Sequence, residues 1–392
     1  MIRRILNSRG VRKFCRSRLA LFSLGFIGIY VLIGAAILLF GMVSLEETGE
    51  RVGPNSSPGF HRKPDAETRL IHIEFYLNLL DRALQRNDPE TALSELRLGE
   101  KTTISASPDQ LTEQVESMYE RFEELADHDN LDQASELLPE IEVLEREVAS
   151  LFEIPSGWKG WVYQFRIFLG TDRQGRSIAI RGIYSIKVAI QIGLITALIS
   201  VVMGSLLGAA AAFYGGWIDH LVIWLYSTFS SIPNLVLLTV LVYMFTGSAF
   251  EGTLIPVYTA FCLTFWIGPC RVIRGETLKI KELEYVQAAT ALGLNRITIL
   301  LKHVLPNTAH LMFINFSLLF IGAVKSEVIL SFLGLGVKKG PSWGIMISQS
   351  AQEVVNGFFW QIGAATVLMF GLVLAFNVLT DSLQDAFDPK HV

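Results

Sequence analysis

The chain has 392 residues, 51% of them hydrophobic and 18% charged, with a mean hydropathy of +0.41 and a formal charge of −4. An ordinary soluble domain carries about 25% charged residues, so a simple soluble globule is excluded and no nucleic-acid partner is expected. The charges are also unevenly placed. Uncharged runs occupy 19–45, 188–218, 220–250, 252–270, 304–324 and 354–380, and each reaches the roughly 18 apolar residues that mark a bilayer-spanning helix. The expected fold is all-α and polytopic, with six transmembrane helices.

Residues 1–18 form a basic tail carrying Arg3, Arg4, Arg9, Arg12, Lys13, Arg16 and Arg18 and no acid. That bias predicts a cytoplasmic N-terminus, and six crossings bring the C-terminal tail, 385–392, back to the same side. The first span, 19–43, sits in an uncharged run of 27 residues. This is too long for a signal-peptide core of about 7–15 residues, and no A-x-A-like site follows it. The run reads as a retained anchor.

Residues 44–169 form a long insert with a formal charge of −14, leaving +10 on the remainder. Its apolar residues are periodic. Leu70, Ile73, Leu77, Leu80 and Leu84 make one heptad-like run; Leu111, Val115, Met118, Phe122 and Leu125 make a second. A third extends from Leu131 to Leu151 across Pro139. Narrow seams of this kind predict an extracytoplasmic helical bundle or coiled-coil hairpin. Two roles stay open for it: a docking surface for a soluble partner, or a solvated spacer.

A pre-span segment, 170–185, leads into the core, 186–384. The helix through 188–218 is expected to stop near Phe213, where Tyr214-Gly215-Gly216 breaks it. Gly204, Gly208 and Ala212 repeat every four residues, a small-residue face that ordinary packing would also explain. Pro233 should kink the third span, either shaping a pathway or standing as a static bend. Cys15, Cys262 and Cys270 lack metal-type spacing and read as small apolar filler. Arg271, Arg274, Lys279, Lys281, Arg296 and Lys302 outnumber the acids between the fourth and fifth spans, which predicts a cytoplasmic loop over 279–307.

Within that loop Tyr285, Ala288, Ala289 and Leu292 are spaced as one helix face. Gly293 suits a left-handed helix end. Ile297, Leu300, Leu301 and Val304 then form a second stripe, closed by Pro306 and by Asn307, a candidate cap for the next span. A rigid, shallow elbow suits mechanical contact. Lys325 and Glu327 lie near the end of the fifth span; an interfacial position would remove most of their cost, although ionisable residues there are also functional candidates. Gly334-Leu335-Gly336 and Pro341 predict a loop or re-entrant element. No G-x-x-x-x-G-K-[ST] occurs, and no Ser/His/Asp or metal constellation lies in the spans. No catalysis and no cofactor are expected of this chain.

The elbow resembles the "EAA" loop of ABC importer permeases, reading Gln287-Ala288-Ala289, Gly293 and, after nine intervening residues, His303-Val304-Leu305-Pro306. Gln287 stands where that pattern has Glu, and His303 where it has Ile. Glu284-Tyr285-Val286 and His-x-Leu-Pro are similar to the dipeptide and oligopeptide (C-type subunit) branch. So are LGTDRQGRS (169–177), YGGWID (214–219), Ser231-Ile232-Pro233, EVILSFLGLGVKKGPSWGIMI (327–347) and LAFNVLTDSLQDAFDP (374–389). The likeness covers the first span and about 170–389, not the insert.

The resemblance implies a type I permease subunit of an ATP-driven, binding-protein-dependent importer in the cell (inner) membrane. It implies a second permease subunit, two ABC ATPases that bind ATP and Mg, and an extracytoplasmic solute-binding protein. It carries ATPase coupling to Glu284, Tyr285, Gln287, Ala288, Ala289, Leu292, Gly293, Leu305 and Pro306. Pro233, Lys325, Glu327, Gly334 and Gly336 become pathway or gate candidates. Peptide is the expected cargo, with nickel or another small solute as the alternative. A membrane-anchored scaffold with a partner-binding outer bundle is a second alternative; a secondary carrier is disfavoured because no repeated halves are visible.

Overall fold

In hydrocarbon, backbone N–H and C=O groups must be satisfied within the segment itself, and the long uncharged runs accordingly fold as helices. The computed structural model describes residue 14 and residues 17–49, 157–338 and 340–387. Most of the basic tail, the heptad runs of the acidic insert and the residues after 387 lie outside the described residues. Helix α1 is Arg18–Phe40 and α2 is Leu45–Gly49. Then come α3, Gly157–Ile167; α4, Ile178–Tyr214; α5, Gly216–Ser230; α6, Asn234–Tyr243; α7, Ile255–Phe265; and α8, Ile267–Ile280. The elbow comprises α9, Glu284–Ala291, and α10, Arg296–Ile299, followed by a π turn, Leu300–Val304, and a 3₁₀ turn, Leu305–Thr308. The chain ends with α11, Ala309–Phe332; α12, Trp343–Val355; and α13, Trp360–Phe387. Among the described residues the only β-pairing is an isolated bridge between Thr171 and Ser177.

Among the described residues five helical segments are long and apolar enough to cross a membrane, or six if the bent pair α5–α6 counts as one. That pair departs from expectation. In place of one kinked span over 220–250, the helices meet at 87°. Pro233 has no N–H to continue the ladder, and it sits in extended conformation (φ −53°, ψ 127°) as the residue preceding α6. Helix α4 ends at Tyr214, one residue past the expected stop, with Gly215 at φ 67°. The fourth span continues to Ile280, beyond the uncharged run.

The chain divides into two compact units. The first comprises Met1–Met42, Ile183–Ser348 and Ala365–Val392. Its centre is the contact between α4 and α8. A Cβ on Gly204 would lie 2.4 Å from the Trp266 carbonyl oxygen, and one on Gly208 2.3 Å from that of Cys270. The small-residue face is therefore a close helix–helix contact in which only hydrogen fits. Gly193 does the same for α11, where a Cβ would meet the Phe320 ring at 2.4 Å. Phe320 in turn stacks on Phe376 of α13 at 3.8 Å. The first span joins through Tyr30, whose hydroxyl donates to the Leu368 carbonyl at 3.0 Å.

The second unit comprises Val43–Gly182 and Gln349–Ala364. Its described part holds α2, α3, the turn from Gly170 to Ser177 and the C-terminal half of α12. Helix α2 opens with a capping box: Glu47 accepts the Ser44 N–H at 3.2 Å, and Ser44 Oγ accepts the Glu47 N–H at 3.1 Å.

The α4–α8 contact sets a test. Gly208→Leu should cost about 3 kcal/mol or more, the upper end for overpacked interiors. Gly275→Ala, on α8 with nothing within 4 Å of its added carbon, should be neutral or stabilising by up to about 1 kcal/mol. Thermal unfolding of the detergent-solubilised chain distinguishes the two; equal midpoints would mean the helices do not meet here.

Candidate functional site

The elbow is stiff for reasons visible residue by residue. Helix α9 ends where Gly293 takes φ +75°. The Leu294 N–H reaches the Ala289 carbonyl at 3.2 Å and the Gly293 N–H reaches Thr290 at 3.0 Å, the paired bonds of a Schellman ending. Asn295 then caps α10, its Oδ1 accepting the Ile297 N–H at 3.1 Å. In the π turn the Leu305 N–H bonds to the Leu300 carbonyl, five residues back, and the wider turn leads into Pro306, which has no N–H to give.

One face of this unit belongs to the core. Val286, Ala289, Ile299, Leu300 and Val304 are buried in one cluster with Ala209 of α4 and with Ile273 and Ile280 of α8. Phe213, Tyr214, Leu311 and Met312 pack against it. The expected stripes are thus corrected. Ala289 points inward with Val286, three residues apart on one face, while Tyr285, Ala288 and Leu292 are exposed. In the second stripe Leu300 and Val304 are buried but Ile297 and Leu301 are exposed. The register shifts because a π turn holds more residues per turn than an α-helix.

The opposite face is apolar and open. Leu292 is 82% exposed, accompanied by Leu283, Tyr285, Leu294, Ile297 and Leu301. Glu284 and Gln287 are exposed among them, and Leu305 and Pro306 are half-buried at the rear. The Gln287 side-chain amide donates to the Glu282 carbonyl at 3.2 Å. An ionised Glu, an acceptor only, could not make that bond. Asn307 is not the cap of the next span; Thr308 precedes α11. Its amide donates to the Tyr285 hydroxyl at 2.6 Å and to the His303 carbonyl at 2.7 Å. Both ends of the elbow are thereby tied together.

A brace that sequence reasoning missed stands beside it. Arg274 of α8 grips Asp219 of α5 through two bonds, 2.6 and 2.7 Å. Arg271 donates to Ser230 at 2.7 Å and lies 4.7 Å over the Tyr226 ring. Asp219 was legible only as the last residue of YGGWID, and nothing in the spacing pointed across 55 residues to Arg274.

The pathway candidates lie apart from the elbow. Glu327 is enclosed by the protein itself, 2% exposed. Its carboxylate accepts the Ser331 hydroxyl at 2.6 Å and the hydroxyl of Ser342. The loop after α11 makes this possible. Gly334, at φ +78°, ends the helix, and Gly336 passes so close that a Cβ would lie 2.0 Å from Ser331 Oγ. Lys325 lies on the exposed side of α11, and Pro233 is exposed at the α5–α6 bend. Lys338 in the same loop donates to Glu251 at 2.5 Å; this bond, first, and the Gly247 N–H hold the Glu251 carboxyl below its ordinary value.

In the second unit, the GTDRQGRS segment wraps the buried carboxylate of Asp172. Asp172 Oδ1 accepts the N–H groups of Gln174 (2.9 Å) and Arg176 (2.8 Å). Oδ2 accepts Arg176 Nε at 2.8 Å and Arg181 Nη1. Gln349 receives Arg181 Nη2 at 2.6 Å, and Glu353 receives the Arg173 N–H at 2.7 Å. Burial pushes the Glu353 carboxyl up from its ordinary value, partly offset by that N–H.

The family model for binding-protein-dependent transport system inner membrane components matches residues 200–391. The dipeptide transport system permease protein of Bacillus subtilis (strain 168) is 34% identical over 224 residues, covering 57% of this chain and 68% of its own. The chain belongs to this permease family. The oligopeptide transport system permease protein of Haemophilus influenzae is likewise 34% identical, over 57% of this chain and 70% of its own. The glutathione transport system permease protein of Pectobacterium atrosepticum is 32% identical, over 57% and 72%. The matched stretch contains both faces of the elbow, the Asp219–Arg274 brace and the Glu327 loop of this permease.

The brace sets a second test. Asp219→Ala and Arg274→Ala should each destabilise the permease by about 1.5–3 kcal/mol, the range for hydrogen bonds to charged groups. The double variant should cost little more than either single one. Unfolding midpoints of the four proteins check this, and strict additivity would dissolve the pair.

Proposed function

We propose that this permease imports di- and oligopeptides, and that the outer face of the elbow is the seat of an ABC ATPase. The observation that carries the coupling role is the elbow's division into two faces. Leu292, Tyr285 and Ala288 stand exposed with Glu284 and Gln287. Val286 and Ala289, on the same eight-residue helix, are locked into a core shared with α4 and α8. A force on the outer face therefore reaches two spans directly, and α11 through Leu311 and Met312. Gly293 fixes the angle between α9 and α10, and Leu305 and Pro306 fix the exit into α11.

In this reading the elbow faces the cytoplasm, with both termini on that side of the inner membrane. A second permease subunit completes the pathway, two ATPases bind ATP and Mg²⁺ beneath the pair, and an extracytoplasmic solute-binding protein delivers cargo. Closure of the ATPases moves Tyr285–Val304 as a rigid lever, and the attached spans open the cavity to alternate sides. The 87° break at Pro233 and the exposed Lys325 contribute to the pathway surface. The enclosed Glu327 and the Gly334–Gly336 loop keep the far end of α11 shut to water. The relatives, dipeptide, oligopeptide and glutathione permeases by name, support peptide cargo over nickel.

The experiment is co-purification with the candidate ATPases. Leu292→Asp should lower their association about thirtyfold, the equivalent of a 2 kcal/mol interface hot spot, and Leu292→Met should keep it. Deleting Ala288–Gly293 should abolish it while leaving membrane insertion intact. Peptide-loaded binding protein should stimulate ATP hydrolysis only in complexes that retain the elbow. Undiminished association after the deletion would refute the lever.

A further inference from the structure

Helix α3 carries an exposed aromatic stripe that the elbow, the spans and the cargo reading leave unused. Trp158 is 80% exposed and Trp161 72%, with Phe165 and, one residue past the helix, Phe168 also exposed. Their spacing, 158, 161, 165 and 168, sets them along one side of the helix. The other side is held by the protein: Arg166 is buried and pairs with Glu47 at 3.6 Å. A soluble surface rarely presents two Trp and two Phe side by side.

We propose that α3 lies in the membrane interface at the outer ends of the spans, with Trp158, Trp161, Phe165 and Phe168 sunk among the phospholipids. Three observations select lipid as the occupant. The first is connection to the spans. The Ser177 hydroxyl donates to the Arg166 carbonyl, and the Ile178 N–H donates to the Gly170 carbonyl at 3.2 Å. The C-terminus of α3 is thus bonded to the opening of the span α4. Glu47, the partner of Arg166, follows the apolar end of the first span by only a few residues; Leu39, Phe40 and Met42 there are themselves exposed. The second is charge. The sequence GWKGWVYQFRI carries Lys159 and Arg166 and no acid, in an insert of formal charge −14. A segment without acid, in so acidic an insert, does not repel anionic headgroups. The third is residue type, since Trp is enriched at the interface, where an apolar ring and a polar N–H are both accommodated. In the same unit Val355 and Phe359, at the turn opening α13, are also exposed.

The function of such a helix is to anchor residues 157–168 at the bilayer surface. The inference rests on the membrane-spanning character of the chain and not on its cargo or its ATPase contact.

Photo-crosslinking tests it on the full chain. Trp161→p-benzoylphenylalanine and Gln174→p-benzoylphenylalanine would be reconstituted in vesicles of phosphatidylethanolamine and phosphatidylglycerol, with and without peptide-loaded binding protein. Both positions are exposed, so neither change disturbs packing. Mass spectrometry after irradiation should find phospholipid adducts at position 161 many-fold above those at 174, unchanged by the binding protein. Lipid adducts at 161 no more abundant than at 174 would overturn the proposal. So would adducts at 161 that form with the binding protein in place of lipid, which would make the stripe a protein-docking face.

Discussion

The rest of the first unit depends on the close contact between α4 and α8. Without a hydrophobic difference between lipid and helix surface, helices in a bilayer associate by close packing, and that requires backbones to approach. Gly204 and Gly208 permit it by leaving nothing between the α4 backbone and the carbonyls of Trp266 and Cys270. The same two helices then continue together to the elbow, where Ala209, Ile273 and Ile280 form the floor on which Val286 and Ala289 rest. The stiffness of the elbow is inherited from this contact. A loop of the same sequence on two loosely packed helices would move without moving them.

That dependence explains the division of labour on a very short helix. Eight residues can bury only one narrow face, and Val286 with Ala289 is enough when the floor is already rigid. The remaining face is then free to stay apolar, with Leu292 fully presented. The Gln287 amide and the Tyr285–Asn307–His303 bonds add polar ties around the rim. They hold the elbow's shape without occupying its exposed apolar face. Gln287 is the instructive case. By donating to the Glu282 carbonyl it secures the entry to α9, a task that requires an amide and excludes a carboxylate.

Much of this was legible in the sequence, and the failures have definite causes. The spans, the stop near Phe213, the left-handed Gly293 and the two-helix elbow all follow from local signals that act over a few residues. Which side of each helix faces inward did not follow. Apolar spacing marks a stripe without saying whether it meets core or partner, and here Ala289 and Leu292 share a stripe but not a fate. The π turn at Leu300–Val304 has no strong sequence signature, and it rotated the second stripe. Pro233 announced a disturbance, yet the step from kink to an 87° break depends on Ser231 and Ile232 leaving the helix as well. Asp219 and Arg274, or Asp172 and Gln349, meet across distances that no local pattern encodes.

Buried carboxylates show the same limit from the energetic side. An ionisable group at the end of a span is cheapest at the surface, and on that ground Glu327 belongs in the interface. The protein also encloses it: two glycines fold the following loop over the helix end and bring Ser331 and Ser342 to the carboxyl group. Asp172 is treated alike in the second unit, where Gly175 turns the chain at φ 76° so that two N–H groups and two arginines converge on it. Burying a carboxyl group is unfavourable unless it is hydrogen-bonded, so each one commits its loop to one conformation.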